Sequence, residues 1–133
     1  AENLNFKKIV DLRDPWGSTF IDENNLLITE KGGLIKLVNI SNKKTNLLNH
    51  NLNFLEHGQG GLLDILFNDN FVYIAYTENR GDWKTSTSIA KAKFNNKNLI
   101  FEKDNFFLFS FAIAMEVLVF QSPLFSEYDI HRF

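Results

Sequence analysis

Apolar residues fall in short runs separated by stretches rich in Asn, Gly and Asp. Trp16–Ile21 is one such run and stops at Asp22-Glu23-Asn24-Asn25. Leu26–Thr29 follows, then Gly32-Gly33, then Leu34–Ile40. Two apolar runs around a Gly pair predict a β-hairpin. Ser41–Thr45 reads as a polar turn, and His50 falls in Asn-rich sequence that also reads as turn. Gly61–Phe67 and Phe71–Thr77 predict a second strand pair joined by Asn68-Asp69-Asn70. Glu78–Lys84 reads as a polar loop, Ser86–Phe94 as a strand, and Leu99–Phe101 as a last short strand after Asn95-Asn96-Lys97-Asn98. Helical periodicity is not sustained over several turns anywhere. The pattern predicts an all-β sandwich, barrel or propeller.

Composition divides the chain. Residues 1–105 hold seventeen Asn and 106–133 none, while Phe numbers seven in each part. All seven Gly lie at or before residue 81. The expected organisation is therefore a β domain over 1–105 and a Phe-rich tail of another kind over 106–133. Phe106–Phe120 is apolar except for Ser110 and Glu116. It is short for a spanning helix, its centre carries a carboxylate, and no basic cluster flanks it. No secretory signal is visible, and the sequence starts at Ala1 rather than Met.

The 133 residues suffice for one domain. A net charge of −2 leaves no basic excess to neutralise phosphates, which argues against nucleic acid as a partner. With no Cys, disulfide scaffolds, thiolate zinc sites and cysteine nucleophiles are excluded.

Three stretches together carry a resemblance. The first is Leu12-Arg13-Asp14-Pro15-Trp16-Gly17, with Phe20-Ile21 and Leu26-Leu27-Ile28-Thr29-Glu30-Lys31-Gly32-Gly33. The second is Gly58-Gln59-Gly60-Gly61-Leu62-Leu63-Asp64, the most specific. The third is Val72-Tyr73-Ile74-Ala75-Tyr76-Thr77 followed by a polar loop and Ser86–Lys93. In this order they resemble, over about residues 10–102, the amino-terminal part of the soluble pyrroloquinoline-quinone-dependent sugar dehydrogenases, the aldose sugar and glucose/sorbosone dehydrogenase family. The resemblance implies about two blades of a six-bladed β-propeller with four antiparallel strands per blade. It also implies a periplasmic or secreted enzyme that oxidises an aldose by hydride transfer to the quinone, with calcium holding the cofactor and an external electron acceptor.

Few site residues carry over. Gln59 matches the family glutamine that points into the cofactor and substrate cleft, where an amide can donate and accept at once. Gly58, Gly60 and Gly61 would let backbone approach the ligand, so Gly58, Gln59 and Gly60 are the cofactor-binding candidates. The plain alternative is a flexible turn before a buried strand. The flanking matches favour the cleft role for Gln59. Asp64 reads as a turn cap or a solvated carboxylate. Trp16, abutting an apolar strand, is expected in a blade core rather than under a sugar. Trp83, in Asn79-Arg80-Gly81-Asp82-Trp83, could stack on a sugar, with packing in its own loop as the simpler expectation.

The resemblance also shows what this sequence lacks. The family's general base is a histidine in a His-x-Gly-(Gly/Ser)-Arg segment soon after the strand matching Leu99–Phe101, and its cofactor-binding arginines and lysine and its calcium ligands come later still. Only His50, His57 and His131 are present, none in that motif, so no catalytic residue and no metal ligand is assigned. His57 could line the cleft. A reading-frame slip near residues 103–110 would account for the change. Ala114-Met115-Glu116-Val117 must be encoded GCN-ATG-GAR-GTN, and two bases later this reads NAT-GGA-RGT. His-Gly-Gly or His-Gly-Ser is therefore reachable about where the motif is expected. The expectation is a truncated, inactive piece of the dehydrogenase that binds no cofactor by itself and exposes strand edges that invite association. Two further classes remain open: a non-enzymatic β-propeller or β-sheet binding module, and a small β domain anchored to a membrane through 106–125.

Overall fold

The computed structural model describes residues 3–103. Expectations placed on the tail 106–133, His131 included, lie outside the described residues. The elements are β1 (Pro15–Phe20), β2 (Asn25–Glu30), β3 (Ile35–Asn39), β4 (Thr45–His50), β5 (Leu62–Asn68), β6 (Phe71–Asn79), β7 (Thr85–Lys93), β8 (Asn98–Leu99) and β9 (Glu102–Lys103), with no helix among the described residues. The fold is all-β. Two sheets form, in the orders β1-β2-β3-β4-β8 and β5-β6-β7-β9. Each contains four antiparallel strands, as a propeller blade does.

Short polar side chains set the turns. The Asp22 carboxylate accepts the Asn24 and Asn25 amides, each at 2.8 Å, and reverses the chain between β1 and β2. Between β5 and β6, Asp69 and Asn70 adopt φ of 49° and 63°, left-handed values that Asp and Asn tolerate and that suit a tight hairpin. Gly33, at φ 109°, ends the β2–β3 turn, where a Cβ would lie 2.3 Å from the Phe54 ring.

One apolar cluster joins the sheets. Leu27, Ile35 and Leu48 come from the first, and Leu62, Ile65 and Ile74 from the second. β5 lies against β1 and β2. At this seam, β1 is bulged between Pro15 and Ser18 and β5 between Leu62 and Ile65. Gly17 and Asp64 sit in the two bulges, so close that a Cβ on Gly17 would lie 2.8 Å from the Asp64 Cα. The Thr29 hydroxyl, fully buried, donates to the Leu63 carbonyl at 2.6 Å and accepts the Gly17 amide at 3.0 Å. The Phe67 amide donates to the Thr19 hydroxyl at 3.1 Å. The sheets are thus fixed by polar bonds as well as apolar contact, and the buried Thr29 hydroxyl is paired with backbone.

Three expectations need correction. Thr45 and His50, both read as turn, are the two ends of β4; only Leu48 of its six residues is buried, so an outer strand carried no hydrophobic pattern. His50 closes that strand: its Nδ1 accepts the Leu52 amide at 3.2 Å and its Nε2–H donates to the Gly33 carbonyl at 2.6 Å. Trp16 is not in the blade core: it is 47% exposed, because Gly17 and Thr19 turn toward the seam and alternation puts Trp16 and Phe20 on the opposite face. The strand expected over Leu99–Phe101 is instead β8, which pairs in parallel with β4 and adds a fifth strand to the first sheet, followed by β9 on the second. Among the described residues, no helix is long and apolar enough to cross a membrane.

Candidate functional site

The Gly-Gln-Gly run forms a tight turn. The His57 and Gly60 backbones exchange hydrogen bonds, 2.8 Å from the Gly60 amide to the His57 carbonyl and 3.3 Å in return. Gly58 adopts φ 57° at the tip, where a Cβ would meet nothing within 4 Å. Gln59 is exposed beside it.

The glycines after Gln59 have another task. A Cβ on Gly60 would lie 2.8 Å from the Thr77 hydroxyl, and one on Gly61 would lie 2.2 Å from the Lys31 carbonyl. Both positions are small because protein atoms press on them. Only Gly58 faces open space, and there the left-handed φ explains the residue. Gln59 is the member of the run with a free functional group on the surface.

The turn is bound to the β6–β7 hairpin. The Leu55 amide donates to the Thr77 carbonyl at 2.9 Å and the Thr77 amide to the Gly61 carbonyl at 2.8 Å. The Asn79 amide donates to the Asn53 carbonyl at 3.0 Å, and the Asn53 side-chain amide to the Asn79 carbonyl at 3.2 Å. The hairpin end is braced in turn. Ser88 donates to the Glu78 carboxylate at 2.5 Å, Arg80 approaches that carboxylate at 3.1 Å, and Arg80 Nε donates to Ser86 at 3.0 Å. This frame sets Trp83 edge-on to the His57 ring, 5.8 Å between centroids. Packing within its own loop does not cover Trp83, which is 78% exposed. Nothing in the sequence pairs His57 with Trp83; the neighbourhood arises only when residues 53–61 lie along the end of β6.

Two carboxylates elsewhere are held differently. Asp64, half-buried at the seam, is pushed up by burial, with the Ile65 amide at 2.9 Å offsetting part of the effect. It is neither a turn cap nor a solvated group. Burial also pushes Glu30 up, but the Lys36 ammonium at 2.6 Å and the Arg13 amide at 2.9 Å outweigh it and hold the carboxyl below its ordinary value. Glu30 lines a concavity of about 330 Å³ with Arg13, Asp14, Gly32, Leu34 and Glu56, to which the Gly58–Gly60 turn contributes no residue.

The implied cofactor can be tested against these residues. Among the described residues no three His, Asp or Glu side chains come together as metal ligands. One exposed amide on a turn does not hold a quinone that carries three carboxylates. The described residues therefore do not by themselves form a site for the quinone and calcium, and no step through the cofactor follows from them.

Comparison with known proteins bears on the same two blades. A crystal structure of glucose dehydrogenase aligns with a TM-score of 0.64 at 26% identity, covering 69% of this chain and 29% of that one. The soluble aldose sugar dehydrogenase of Escherichia coli, solved in its apo form, aligns with a TM-score of 0.61 at 25% identity, covering 68% of this chain and 28% of that one. The PQQ-bound aldose sugar dehydrogenase of Streptomyces coelicolor, at 20% identity and a TM-score of 0.61, shares the fold over 70% of this chain and 30% of its own. This chain thus spans less than a third of the length of these propeller enzymes. No curated protein sequence matches significantly. The profile of the family described as glucose/sorbosone dehydrogenase matches residues 12–111, most of the chain, and with the blade geometry this places the chain in the glucose/sorbosone dehydrogenase family.

Proposed function

We propose that residues 1–105 are two blades of a quinone-dependent dehydrogenase that oxidises an aldose by hydride transfer to pyrroloquinoline quinone, bound with calcium, and passes the electrons to an external acceptor outside the cytoplasm. Gln59 is the contact these blades make with the cofactor and substrate cleft, flanked by Gly58 and Gly60. The observation that supports this most is the turn itself. It is pinned to β6 through Thr77, yet its one functional side chain faces solvent. A purely structural turn has no need to fix an amide there. Within this chain the blades bind and orient; the proton-accepting histidine of the family motif has no counterpart in the sequence.

Residues 106–133 belong to the same proposal as the product of a shifted reading frame. The family match ends at residue 111, just past the window of the inferred slip. The test uses the intact chain with excess pyrroloquinoline quinone, calcium and D-glucose, beside a complete family member as control. The expected outcome is no aldose-dependent dye reduction by this chain. Turnover above the no-protein rate would overturn the assignment of the missing base, and the nucleotide sequence over residues 103–111 would show whether a second frame restores His-Gly-Gly or His-Gly-Ser.

A further inference from the structure

Trp83 occupies a position that its side chain disfavours. The Lys84 amide donates to the Gly81 carbonyl at 2.9 Å, closing a turn whose central residues are Asp82 and Trp83. Both are left-handed, with φ of 49° and 62°. A two-residue hairpin turn of this hand selects Gly, Asn or Asp, because a Cβ there crowds the backbone. Asp82 meets the rule and Trp83 breaks it. The indole gains little by packing, since 78% of it is exposed. Strain at one residue together with exposure of a large apolar ring is a combination that folding alone does not favour.

The surroundings indicate a use. The hairpin end is rigid: Arg80 donates its amide to the Lys84 carbonyl at 2.8 Å, and Asn79 accepts the Gly81 amide at 2.9 Å. The His57 ring meets the indole edge-on. Beyond His57 lie the open space at Gly58 and the exposed amide of Gln59. An aromatic face, an imidazole and a primary amide are thus carried on two tight turns whose flanking residues, Asn53, Leu55 and Gly61 on one side and Thr77 and Asn79 on the other, are hydrogen-bonded to each other. A π face attracts weakly positive C–H groups, and an amide and an imidazole bind hydroxyls. A pyranose offers both: a flat C–H face with hydroxyls around its rim.

We infer that Trp83 is a substrate-positioning residue, stacking on the C–H face of an aldose whose hydroxyls reach His57 and Gln59. The inference rests on the reading of Gln59 as a cleft residue and adds the ring that would select a cyclic sugar.

The test is by NMR on the intact chain, following the indole N–H signals of Trp83 and Trp16 and the backbone amides of Gly58 and Gly60. D-glucose should shift Trp83 saturably in the millimolar range, with Trp16 unmoved, and the acyclic sorbitol should shift neither. Trp83→Gly should weaken glucose binding, followed at the Gly58 and Gly60 amides, by about tenfold. The same substitution should leave the thermal midpoint unchanged or raise it, because Gly suits the left-handed turn. A merely structural indole predicts the opposite, a lower midpoint. Glucose leaving Trp83 unmoved, or moving both indoles alike, overturns the inference, as does a Trp83→Gly variant that melts lower. A separate titration with pyrroloquinoline quinone separates the two readings. Quinone shifts at Gly58 and Gly60 with a silent Trp83 under glucose would retain the cofactor role of Gln59 and discard the sugar platform. The reverse pattern would retain the platform alone.

Discussion

The seam between the two sheets and the rim formed by the two turns use similar residues to opposite ends. At the seam, Gly17 and Gly61 are small because backbone presses on them, and the Thr29 hydroxyl is consumed by two backbone partners. At the rim, Gly58 has empty space before it, Gln59 is exposed, and Trp83 is strained and uncovered. Among the described residues, the seam leaves no buried side-chain polar atom unpaired. The rim leaves an amide, an imidazole and an indole available while fixing the backbone that carries them. Binding chemistry belongs with the second kind of region, because groups already paired inside the protein have nothing left to offer a ligand.

The largest expected effect lies at the seam. Gly61→Ala would drive a Cβ to 2.2 Å from the Lys31 carbonyl oxygen, a backbone atom that cannot swing aside as a side chain would. We expect a loss of about 3 kcal/mol, read as a chemical-denaturation midpoint. Gly58→Ala, which meets nothing, should lose only about 1 kcal/mol through its left-handed φ. Equal losses at the two positions would erase the distinction between seam and rim.

Next comes Thr29→Val, nearly the same shape without the hydroxyl. It leaves the Leu63 carbonyl and the Gly17 amide without their partner, at about 2 kcal/mol. A domain of this size would then melt roughly 10 °C lower. A drop of a degree or two would mean that water replaces the hydroxyl, and that the seam is wetter than its geometry implies.

The smallest effect is a pair of opposite pH dependences. Glu30 is held below its ordinary value, so its stabilising contribution is present above the unfolded value of about 4.3 and is lost as pH falls through the folded value. Asp64 is pushed above its ordinary value, so its contribution is full below the unfolded value of about 3.9 and is lost as pH rises through the folded value. Glu30→Gln should therefore melt lower than the parent at pH 7, with the gap closing in acid. Asp64→Asn should melt higher than the parent at pH 7, with that gap also closing in acid. Thermal midpoints across pH 3 to 7 decide it; two gaps of the same sign would contradict the environments assigned to the two carboxylates.

Much of the fold was legible along the chain. The Gly32-Gly33 hairpin and the Asn68-Asp69-Asn70 hairpin stand where turn chemistry and apolar runs put them, and Ser86–Phe94 became β7 nearly to the residue. β4 was not legible: a strand with Leu48 as its one buried residue leaves no alternation to read, and its pairing with β3 supplies what the pattern lacks. Trp16 misled because an apolar residue within a strand does not say which face of that strand the neighbouring sheet will cover.

The sequence by itself determined that this is an all-β chain, where its hairpins turn, and which family it resembles. Those properties reside in neighbouring residues: a Gly pair, an Asx turn, an alternation of period two, an ordered run such as Gly58–Asp64. The tertiary structure decided which glycines are crowded and which are free, that Asp64 is buried rather than solvated, and that Trp83 stands against His57. Each of these depends on what a distant segment does. Burial, close approach and ring contact are properties of pairs of segments, and a chain read one residue at a time contains only one member of each pair.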